Sequence, residues 1–534
     1  MRRILAFSLS LSVLSAGEAR SQDRASHHVL VPRGYVSLLF NPSFDSWNSR
    51  FGKRLEGGVI IEEEEPLGLD FRDEVGTSLF PGIRNLENQL RELTGNPDYS
   101  GVLGAADGLV HHDITRIDLG GHVGVSDWLT LGVVAPIVKN RSVLEMSFRA
   151  DSLNSDLGIN PRISNSNEVT SFLADLESAY SSVRAHADII CASSSTNAAC
   201  AHAKSLASRL QTFLSNTEQA YSSSNFFPIQ GSKVATSLSN ALSALDYEMT
   251  SIGLNHINSG LVFATDWLTE AALVALPTTN GTGIEGSPLQ DINGIWELGD
   301  IEVSALLRLL DGGRPTTPES ASFLRYGVTG SLLIRLGTGK VDAHQVFLDL
   351  PTGDGQTDIE AGISGFLYIG SHFGIHSSGR YGLQMPTTLM RRVTPPETVM
   401  PLVSTLREVN WSPASYMRFE IEPSWTLSPQ LYAFGTYRFY SKESDSYQLI
   451  NDEESVISPG AIPISIEDLE NESSRVFHQA GLGLRYSTLN VQTSKEQRPA
   501  ELYGRVIYTV AGSGGHTPVT TRVEFGIQLF QKFW

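Results

Sequence analysis

Long hydrophobic runs are missing from nearly the whole sequence. After the first 20 of its 534 residues, the chain has no run of about 18 apolar residues that is free of charge. A helix that crosses a bilayer needs such a run, so membrane-spanning helices are excluded. The chain is therefore either soluble or meets a membrane through strands.

Basic residues are also scarce. The chain has 39 Lys and Arg residues against 58 Asp and Glu residues, which gives a formal net charge of −19 at pH 7. Binding to the phosphates of a nucleic acid requires a basic surface. The composition therefore predicts no nucleic-acid partner.

The N-terminus is the exception to the lack of hydrophobic runs, and it has the form of an export signal. Arg2 and Arg3 precede an apolar run from Ile4 to Ala16 that only serines interrupt, and small residues around Gly17-Glu18-Ala19 follow. This order is typical of a signal peptide that is removed during export. We predict a signal peptide over residues 1–19 and an exported mature protein.

The segment from Arg116 to Ile137 has the clearest strand pattern. Apolar and polar residues alternate on both sides of a short turn at Ser126-Asp127. A period of two over about ten residues is typical of a strand with one face toward lipid and one toward a lumen. One apolar face comprises Ile117, Leu119, Val123 and Val125, and the next comprises Leu129, Leu131, Val133 and Ile137.

The same alternation recurs up to the C-terminus, in segments 301–309, 328–336, 358–369, 417–425 and 502–510. Inside lipid, all backbone polar groups must be paired within the protein, and a closed barrel of strands achieves this. We therefore predict an all-β transmembrane barrel, antiparallel and up-and-down, over residues 34–534, in the bacterial outer membrane. A soluble β-sandwich would also alternate and is the alternative fold.

The strand count depends on one repeated pattern. Val125–Thr130 resembles Ala264–Thr269, since each places Asp-Trp between two strand-like runs. Tight links near residues 126, 266, 371, 428 and 490 alternate with long ones, as an up-and-down barrel requires. The count is about 14 strands, with both termini in the periplasm. Without the Leu254–Pro277 hairpin it is 12.

Aromatic residues near strand ends are expected to anchor the barrel at the membrane–water boundary. There the apolar ring of a tryptophan can contact lipid while its N–H group stays hydrated. The chain ends in Phe533-Trp534, and outer-membrane proteins tend to finish their last strand with an aromatic residue that the assembly machinery reads. Alternation places Phe533 on the lipid face, whereas a bulge near Leu529-Phe530 would place Trp534 there. The candidate anchors are Trp128, Trp267, Trp425, Phe533 and Trp534.

Residues 167–252 change to a helical period, with apolar residues at steps of three or four. We predict a three-helix insert within an extracellular loop. The only two cysteines, Cys191 and Cys200, lie where the first helix ends and the second begins. Since the two cysteines lack the CxxC spacing of a redox or metal site, a disulfide that joins the two helices is the preferred interpretation.

The polar faces of the strands carry charges of both signs. One interpretation is that ion pairs fill a narrow interior, and the other is a ladder of charged sites that selects solutes. Strand alternation does not decide between them, because it contains no cross-strand register. The candidate lumen-lining residues are Arg116, Asp118, Glu302, Arg308, Arg335, Glu360, Arg418, Glu420, Arg438, Arg485 and Arg505.

Other polar clusters have the composition of a functional site without its spacing. The acidic run Glu62–Glu65 suits a solvated surface or cations shared with lipopolysaccharide. The oxygen-rich Asp349–Asp358 segment does not fit the EF-hand spacing.

His376 and Ser378 share a strand face and faintly resemble the His-x-Ser-Asn-Gly segment of outer-membrane phospholipase A, but Gly379 replaces the Asn. A catalytic serine needs an oriented base. We predict no catalytic, cofactor-binding or metal-binding residues and no enzyme activity.

Three segments suggest a family. The hairpin Gly121–Val138, the strand opening Trp296–Val303 and the run Phe347–Asp358 resemble outer-membrane proteins grouped around long-chain fatty acid and aromatic hydrocarbon transporters. The resemblance covers the barrel and implies 14 strands that pass hydrophobic small molecules. Fatty acid transporters carry an N-terminal hatch with an Asn-Pro-Ala segment before the first strand, whereas here Asn41-Pro42-Ser43 lies inside the first strand.

These observations favour an outer-membrane channel for passive uptake of hydrophobic or amphipathic small molecules. The expected partners are that solute, outer-membrane lipid with lipopolysaccharide, and the barrel assembly machinery. The alternative is a surface-display or adhesion protein that uses the barrel as an anchor for the helical insert. An apolar cavity or a lateral opening would favour transport, and a lumen sealed by ion pairs would favour display.

Overall fold

The structure is a computed structural model. It describes residues 30–56, 59–71, 73–77, 79–193, 197–312, 323–394, 400–450, 464–471, 473–488, 499–514 and 517–533. The predicted signal peptide over residues 1–19 and the candidate anchor Trp534 lie outside these residues.

Twelve long strands form a closed antiparallel barrel, as the alternation predicted. Each strand pairs with its neighbours in the chain, and the last strand pairs with the first from Tyr35–Lys532 to Ser46–Thr521. The strands are β1 (Tyr35–Trp47), β2 (Ala105–Ser126), β3 (Leu129–Arg149), β4 (Ile301–Gly312), β5 (Leu324–Leu336), β6 (Asp358–Ile369), β7 (Phe373–Gln384), β8 (Tyr416–Ser428), β9 (Leu431–Lys442), β10 (Arg475–Ser487), β11 (Ala500–Ser513) and β12 (Thr521–Lys532).

The predicted hairpin at Leu254–Pro277 is wrong, so the barrel strands in the described ranges number 12 rather than 14. Ala264 forms only an isolated parallel bridge with Ile229, and Thr269 caps the short helix Glu270–Ala275 by accepting a hydrogen bond from the Ala272 amide. The alternation there is too short to cross a bilayer, which takes about ten residues. Trp267 therefore lies in an outer loop, and the prediction that it anchors the barrel wall does not hold.

The outer wall of the barrel is apolar. Side chains that alternate with the lumen-facing residues remain widely exposed, for example Leu482 at 75% and Leu484 at 54%. In water this surface would be a large exposed hydrophobic patch, whereas in a bilayer it contacts lipid. The exposed side chains thus form the membrane-facing band of the barrel.

Connection lengths distinguish the two ends of the barrel. One end carries the short links 127–128, 370–372 and 429–430 together with both ends of the described barrel. The opposite end carries the longest connections, including 48–104 and 150–300. Since short turns face the periplasm in such barrels, we call the two ends the periplasmic end and the outer end.

The outer end carries short strands and helices that extend the barrel or pack on it. The strands are Ser49–Glu56, Val59–Pro66, Asp73–Glu74, Leu157–Ile159, Phe226–Pro228, Ile292–Asn293, Glu297–Leu298, Thr387–Arg392, Leu406–Ser412, Ser446–Leu449 and Thr517–Pro518. The long helices are α1 (Arg84–Thr94), α2 (Ser166–Ser193), α3 (Ala198–Ser223) and α4 (Lys233–Ser251), and the short ones are Leu69–Phe71, Pro81–Ile83, Pro161–Ser164, Glu270–Ala275, Leu276–Thr278, Val403–Thr405 and Glu467–Glu470.

None of the helices in the described part of the chain is long and apolar enough to cross a membrane.

Helices α1–α4 share one hydrophobic core, and we call these helices with the loops packed on them the outer cap. The core contains Leu90 of α1, Phe172 of α2, Leu210 of α3 and Leu238 of α4. Cys191 and Cys200 form a disulfide between α2 and α3, with their Cα atoms 5.0 Å apart. The period-3.6 pattern of the insert therefore corresponds to helices that bury their apolar faces against each other and against α1.

The outer cap is tied to loops from several strands around the barrel. The Met400 amide, between β7 and β8, donates to the Leu79 carbonyl at 3.1 Å. The Arg392 guanidinium donates to the carbonyls of Ile284 and Pro401. Because these residues belong to three different outer connections, the cap lies across the outer end of the lumen.

Candidate functional site

The lumen contains a dense set of buried charges at mid-height, which we call the central belt. On β8–β12 its centre is Arg505, whose guanidinium lies 2.9 Å from Glu422, 3.1 Å from Glu524 and 3.5 Å from Glu420. Arg438 adds a 2.7 Å contact to Glu420. These five side chains form one network of charge-assisted hydrogen bonds, which are stronger than bonds between neutral groups.

The belt continues on the other side of the lumen. Arg335 lies 2.7 Å from Asp358 and 3.8 Å from Glu302. Glu302 in turn lies 3.4 Å from Arg116, which also contacts Asp118 at 2.8 Å. The belt therefore extends from β2 through β4 and β5 to β6.

Cross-strand register explains why these charges meet. Glu302 is directly opposite Arg335, and Arg335 is directly opposite Asp358, so three neighbouring strands carry alternating charges at one level. Glu420 and Arg438 are opposite each other in the same way. Opposite charges at facing positions stabilise strand pairing. This arrangement favours packing over a ladder of free charged sites.

The structure places the predicted lumen residues on the inner wall of the barrel. Arg308 is half-buried near the periplasmic end, where it pairs with Asp311 across a bulge at a distance of 3.6 Å. The other ten candidates are buried in the belt or beside it. They are Arg116, Asp118, Glu302, Arg335, Glu360, Arg418, Glu420, Arg438, Arg485 and Arg505.

Sequence reasoning missed several belt residues that lie on the same inner faces. Arg380 is two residues from Ser378 on a face already identified as polar, and it contacts Glu360 at 2.9 Å. Asp45 lies two residues beyond Ser43 in the first strand and contacts Arg522 at 3.8 Å. Continuing each alternation by one or two residues would have found them.

A cavity of about 650 Å³ lies between the central belt and the periplasmic end. Belt residues Glu420, Glu422 and Arg485 line it toward the middle of the membrane. Its other walls combine aromatic rings with hydroxyl groups. The aromatic lining residues are Tyr35, Phe366, Tyr368, Tyr432 and Phe530, and the hydroxyl-bearing ones include Thr329, Ser364, Ser378, Ser424 and Ser487.

One wall of the cavity is an aromatic cluster on β6 and β7. The rings of Phe366 and Tyr368 lie 5.4 Å apart, and the Tyr368 hydroxyl shares a 2.8 Å hydrogen bond with Nε2 of His376. The guanidinium of Arg325 lies 5.0 Å from the Tyr368 ring centroid, which is a cation–π contact. The wall therefore offers both ring faces and a positive charge.

The chain before β1 enters the periplasmic end of the lumen. The Val31 amide donates to Oγ1 of Thr130 at 3.0 Å, and the Gly34 amide donates to the Gly124 carbonyl at 3.0 Å. Gly124 permits this close approach, since a Cβ atom there would collide with the carbonyl oxygen of Pro32. Leu30 and Pro32 thus line the cavity from below.

The polar clusters outside the belt have structural partners. His376 shares a 2.8 Å hydrogen bond with the phenol of Tyr368. Asp354 accepts a 3.3 Å hydrogen bond from the Gln356 amide, as expected of a turn-rich loop. Glu65 pairs with Arg50 at 2.8 Å. Among the described residues, no group of three or more His, Cys, Asp or Glu side chains is arranged to hold a metal ion.

Three candidate anchors lie on the outer wall near the periplasmic end. Trp128 is in the turn between β2 and β3, Trp425 is near the end of β8, and Phe533 follows β12. All three side chains are widely exposed. Their role as anchors at a membrane–water boundary stays a prediction.

Comparison with known proteins gave matches only at the level of structure. Neither a protein-family model nor a curated protein sequence matches the chain. An outer-membrane channel from Pseudomonas putida F1 is similar over 95% of this chain and 99% of its own, with 7% identity and a TM-score of 0.40. The transport unit of the autotransporter AIDA-I from Escherichia coli is similar over 97% and 96%, with 7% identity and a TM-score of 0.32.

A Pseudomonas aeruginosa FadL homologue is similar over 99% of both chains, with 7% identity and a TM-score of 0.27. Each of these likenesses extends along the whole barrel at very low identity. The chemistry of the lumen, and not these matches, must therefore indicate the function.

Proposed function

We propose that this protein is an outer-membrane channel for passive uptake of hydrophobic or amphipathic small molecules. The observation that carries the proposal is the lumen cavity of about 650 Å³. Pockets for small ligands typically have about 300–1,000 Å³ and combine apolar walls with a few polar groups. Here, rings such as Phe366 and Tyr432 provide the apolar surface and hydroxyls provide the polar one.

An interruption of the barrel wall supports a route for an apolar solute. The ladder between β1 and β12 breaks at Asn41 and Pro42, between the pairs Phe40–Ile527 and Ser43–Glu524. Proline has no amide hydrogen to donate to a ladder. A wall held by fewer hydrogen bonds opens at lower free energy, so this seam is the proposed passage between lumen and membrane.

Tyr503 closes the seam from the inside. Gly526 has no side chain, and a Cβ atom there would overlap the ring of Tyr503, which therefore packs directly against the wall. The Tyr503 hydroxyl donates to Glu524 at 2.9 Å. Removal of this ring in Tyr503→Ala is expected to increase solute passage.

The outer surface also suits the proposed partners. Beyond the apolar face of β3, the outward positions change to Lys139 and Arg141, both exposed. Basic side chains just outside an apolar band are placed to meet lipid phosphates. We propose that they contact lipopolysaccharide and that the aromatic end of β12 near Phe533 is read by the barrel assembly machinery.

Surface display is the second candidate function, and the central belt favours it. The ion pairs of the belt fill the middle of the lumen, and the outer cap lies across its outer end. A barrel closed in this way can serve as an anchor for helices α2–α4. Display predicts no solute passage, so one uptake measurement separates the two functions.

Uptake into liposomes tests the channel. Vesicles that contain the purified mature protein are expected to take up a hydrophobic fluorescent tracer faster than empty vesicles, and Tyr503→Ala vesicles faster still. Phe477→Ala, which removes a buried lumen ring outside the cavity lining and the seam, is the matched control and should resemble the wild type. Wild-type uptake equal to that of empty vesicles would remove the channel proposal.

A further inference from the structure

The aromatic wall of the cavity contains a cation with unused binding capacity. Arg325 on β5 lies directly opposite Tyr368 on β6, and Gly327 lies opposite Phe366. A Cβ atom at Gly327 would overlap the Phe366 ring, so the glycine makes room for that ring beside the cation. All four residues line the cavity.

The other charged groups in the cavity already have partners. Arg485 contacts Glu501 at 3.6 Å, and Arg308 contacts Asp311 at 3.6 Å. Arg325 forms no ion pair with any carboxylate in the part of the chain that the structure describes, and its contact is the face of the Tyr368 ring. A guanidinium above a ring keeps the N–H groups along its edge for an anion.

We propose that the cavity binds small aromatic carboxylates. In this arrangement the carboxylate pairs with Arg325, and the ring packs on Phe366 and Tyr368. The inference rests on the proposed channel function and deepens it, because it names the class of solute that the cavity holds.

The chemistry of the wall selects both halves of such a molecule. A guanidinium binds a carboxylate through two parallel hydrogen bonds, which a neutral hydroxyl does not reproduce. Offset or edge-to-face packing on two aromatic rings favours a flat ring over an alkyl chain. An aromatic carboxylate uses both groups, whereas a neutral aromatic or a simple carboxylate uses only one.

Binding of three probes to the purified mature protein in nanodiscs tests the inference. Isothermal titration calorimetry with benzoate, benzyl alcohol and acetate is expected to show benzoate as the tightest ligand, by about tenfold over each of the others. Arg325→Gln should reduce the benzoate affinity to that of benzyl alcohol and leave benzyl alcohol binding unchanged. Arg325→Lys should keep part of the preference, since it keeps the charge.

The matched control is Arg184→Gln, the same substitution at an exposed arginine on α2. It should bind all three probes like the wild type. Equal affinities for benzoate and benzyl alcohol in the wild type, or a preference that survives Arg325→Gln, would overturn the inference. The channel proposal would still hold in that case if the liposomes take up a neutral tracer. Tracer uptake equal to that of empty vesicles would overturn the channel proposal, whatever the affinity for benzoate.

Discussion

At the scale of single residues, the charges in the lumen are the most constrained groups of the molecule. Arg505 is 2% exposed and touches three carboxylates. A buried charge is tolerated only if partners offset its loss of hydration. Each belt residue therefore depends on its neighbours, and removal of one leaves a net charge buried among the others.

Arg505→Met is expected to destabilise the barrel by about 3–5 kcal/mol, because it removes the guanidinium that Glu420, Glu422 and Glu524 share and leaves excess negative charge buried in the belt. Urea unfolding in detergent micelles, followed by circular dichroism, measures the change. Arg184→Met on the exposed face of α2 is the control and should shift stability by less than about 0.5 kcal/mol. A loss below about 1 kcal/mol for Arg505→Met would show that water enters the belt and replaces its ion pairs.

A second residue-scale prediction concerns Asp156, which follows β3 in the outer cap. Burial raises the pKa of its carboxyl to about 6, even though the Val102 amide donates to it at 2.8 Å. The folded state therefore binds this proton more tightly than the unfolded state does. Its stabilising contribution is complete below the unfolded pKa near 3.8 and is lost as pH rises through about 6.

The cap is thus expected to be less stable at pH 8 than at pH 5, by an amount on the order of 1–3 kcal/mol. Asp156→Asn keeps the acceptor for Val102 but does not titrate, so it should remove most of this difference. Hydrogen exchange of α1 at the two pH values, with opening rates corrected for intrinsic exchange, measures it. The same pH dependence in the variant would assign the effect to another group.

At the scale of elements, helices α2 and α3 of the cap are joined by the Cys191–Cys200 disulfide. The disulfide joins residues nine positions apart at the junction of α2 and α3. Closing a loop of this size in the unfolded chain is worth about 2–3 kcal/mol. The disulfide stabilises only the hairpin of α2 and α3, since no barrel strand lies within the loop that it closes.

Cys191→Ser with Cys200→Ser is expected to destabilise α2 and α3 by that amount, about 2–3 kcal/mol, without changing the unfolding of the barrel. Hydrogen exchange resolved by segment separates the two. Reduction of the wild type with dithiothreitol should reproduce the result and serves as its control. Equal losses of protection in β2 and α2 would show instead that cap and barrel unfold as one unit.

Strand alternation predicted the elements of the barrel well, because the alternation can be read within each segment alone. A strand that separates lipid from a lumen must change polarity at every residue, so the pattern in 116–137 or 502–510 is readable without knowledge of neighbours. The hairpin at Leu254–Pro277 was wrong because five alternating residues also suit a loop, and the bridge from Ala264 to Ile229 depends on a distant segment. Trp267 was misplaced with it.

At the scale of the whole molecule, the cap and the belt together close the lumen. The cap core joins α1, from the β1–β2 connection, to α2–α4, from the β3–β4 connection, and to Met400 from a third. Solute passage through a channel of this kind requires the cap to move or the solute to leave sideways through the seam near Pro42. These two routes respond differently to loss of the cap.

Replacement of residues 166–251 by a flexible Gly-Ser linker is expected to leave barrel assembly intact, since strand pairing closes the ring without the insert. If solutes enter through the outer end, tracer uptake should increase severalfold over the wild type. Combining the deletion with Tyr503→Ala checks the two routes for additivity. Failure of the deleted protein to assemble would show that α2–α4 are needed to fold the barrel.

The sequence by itself determined the polarity of each strand face, the two helical periods that end at Cys191 and begin at Cys200, and hence a barrel with a helical insert. These properties follow from interactions along the chain. Only the tertiary structure decided the strand number, the neutralisation of Glu302 and Asp358 by Arg335, and the cavity beside Arg325. Each depends on which residues of separate strands stand opposite each other, and a shift of register by one residue would turn every one of those side chains to the other face.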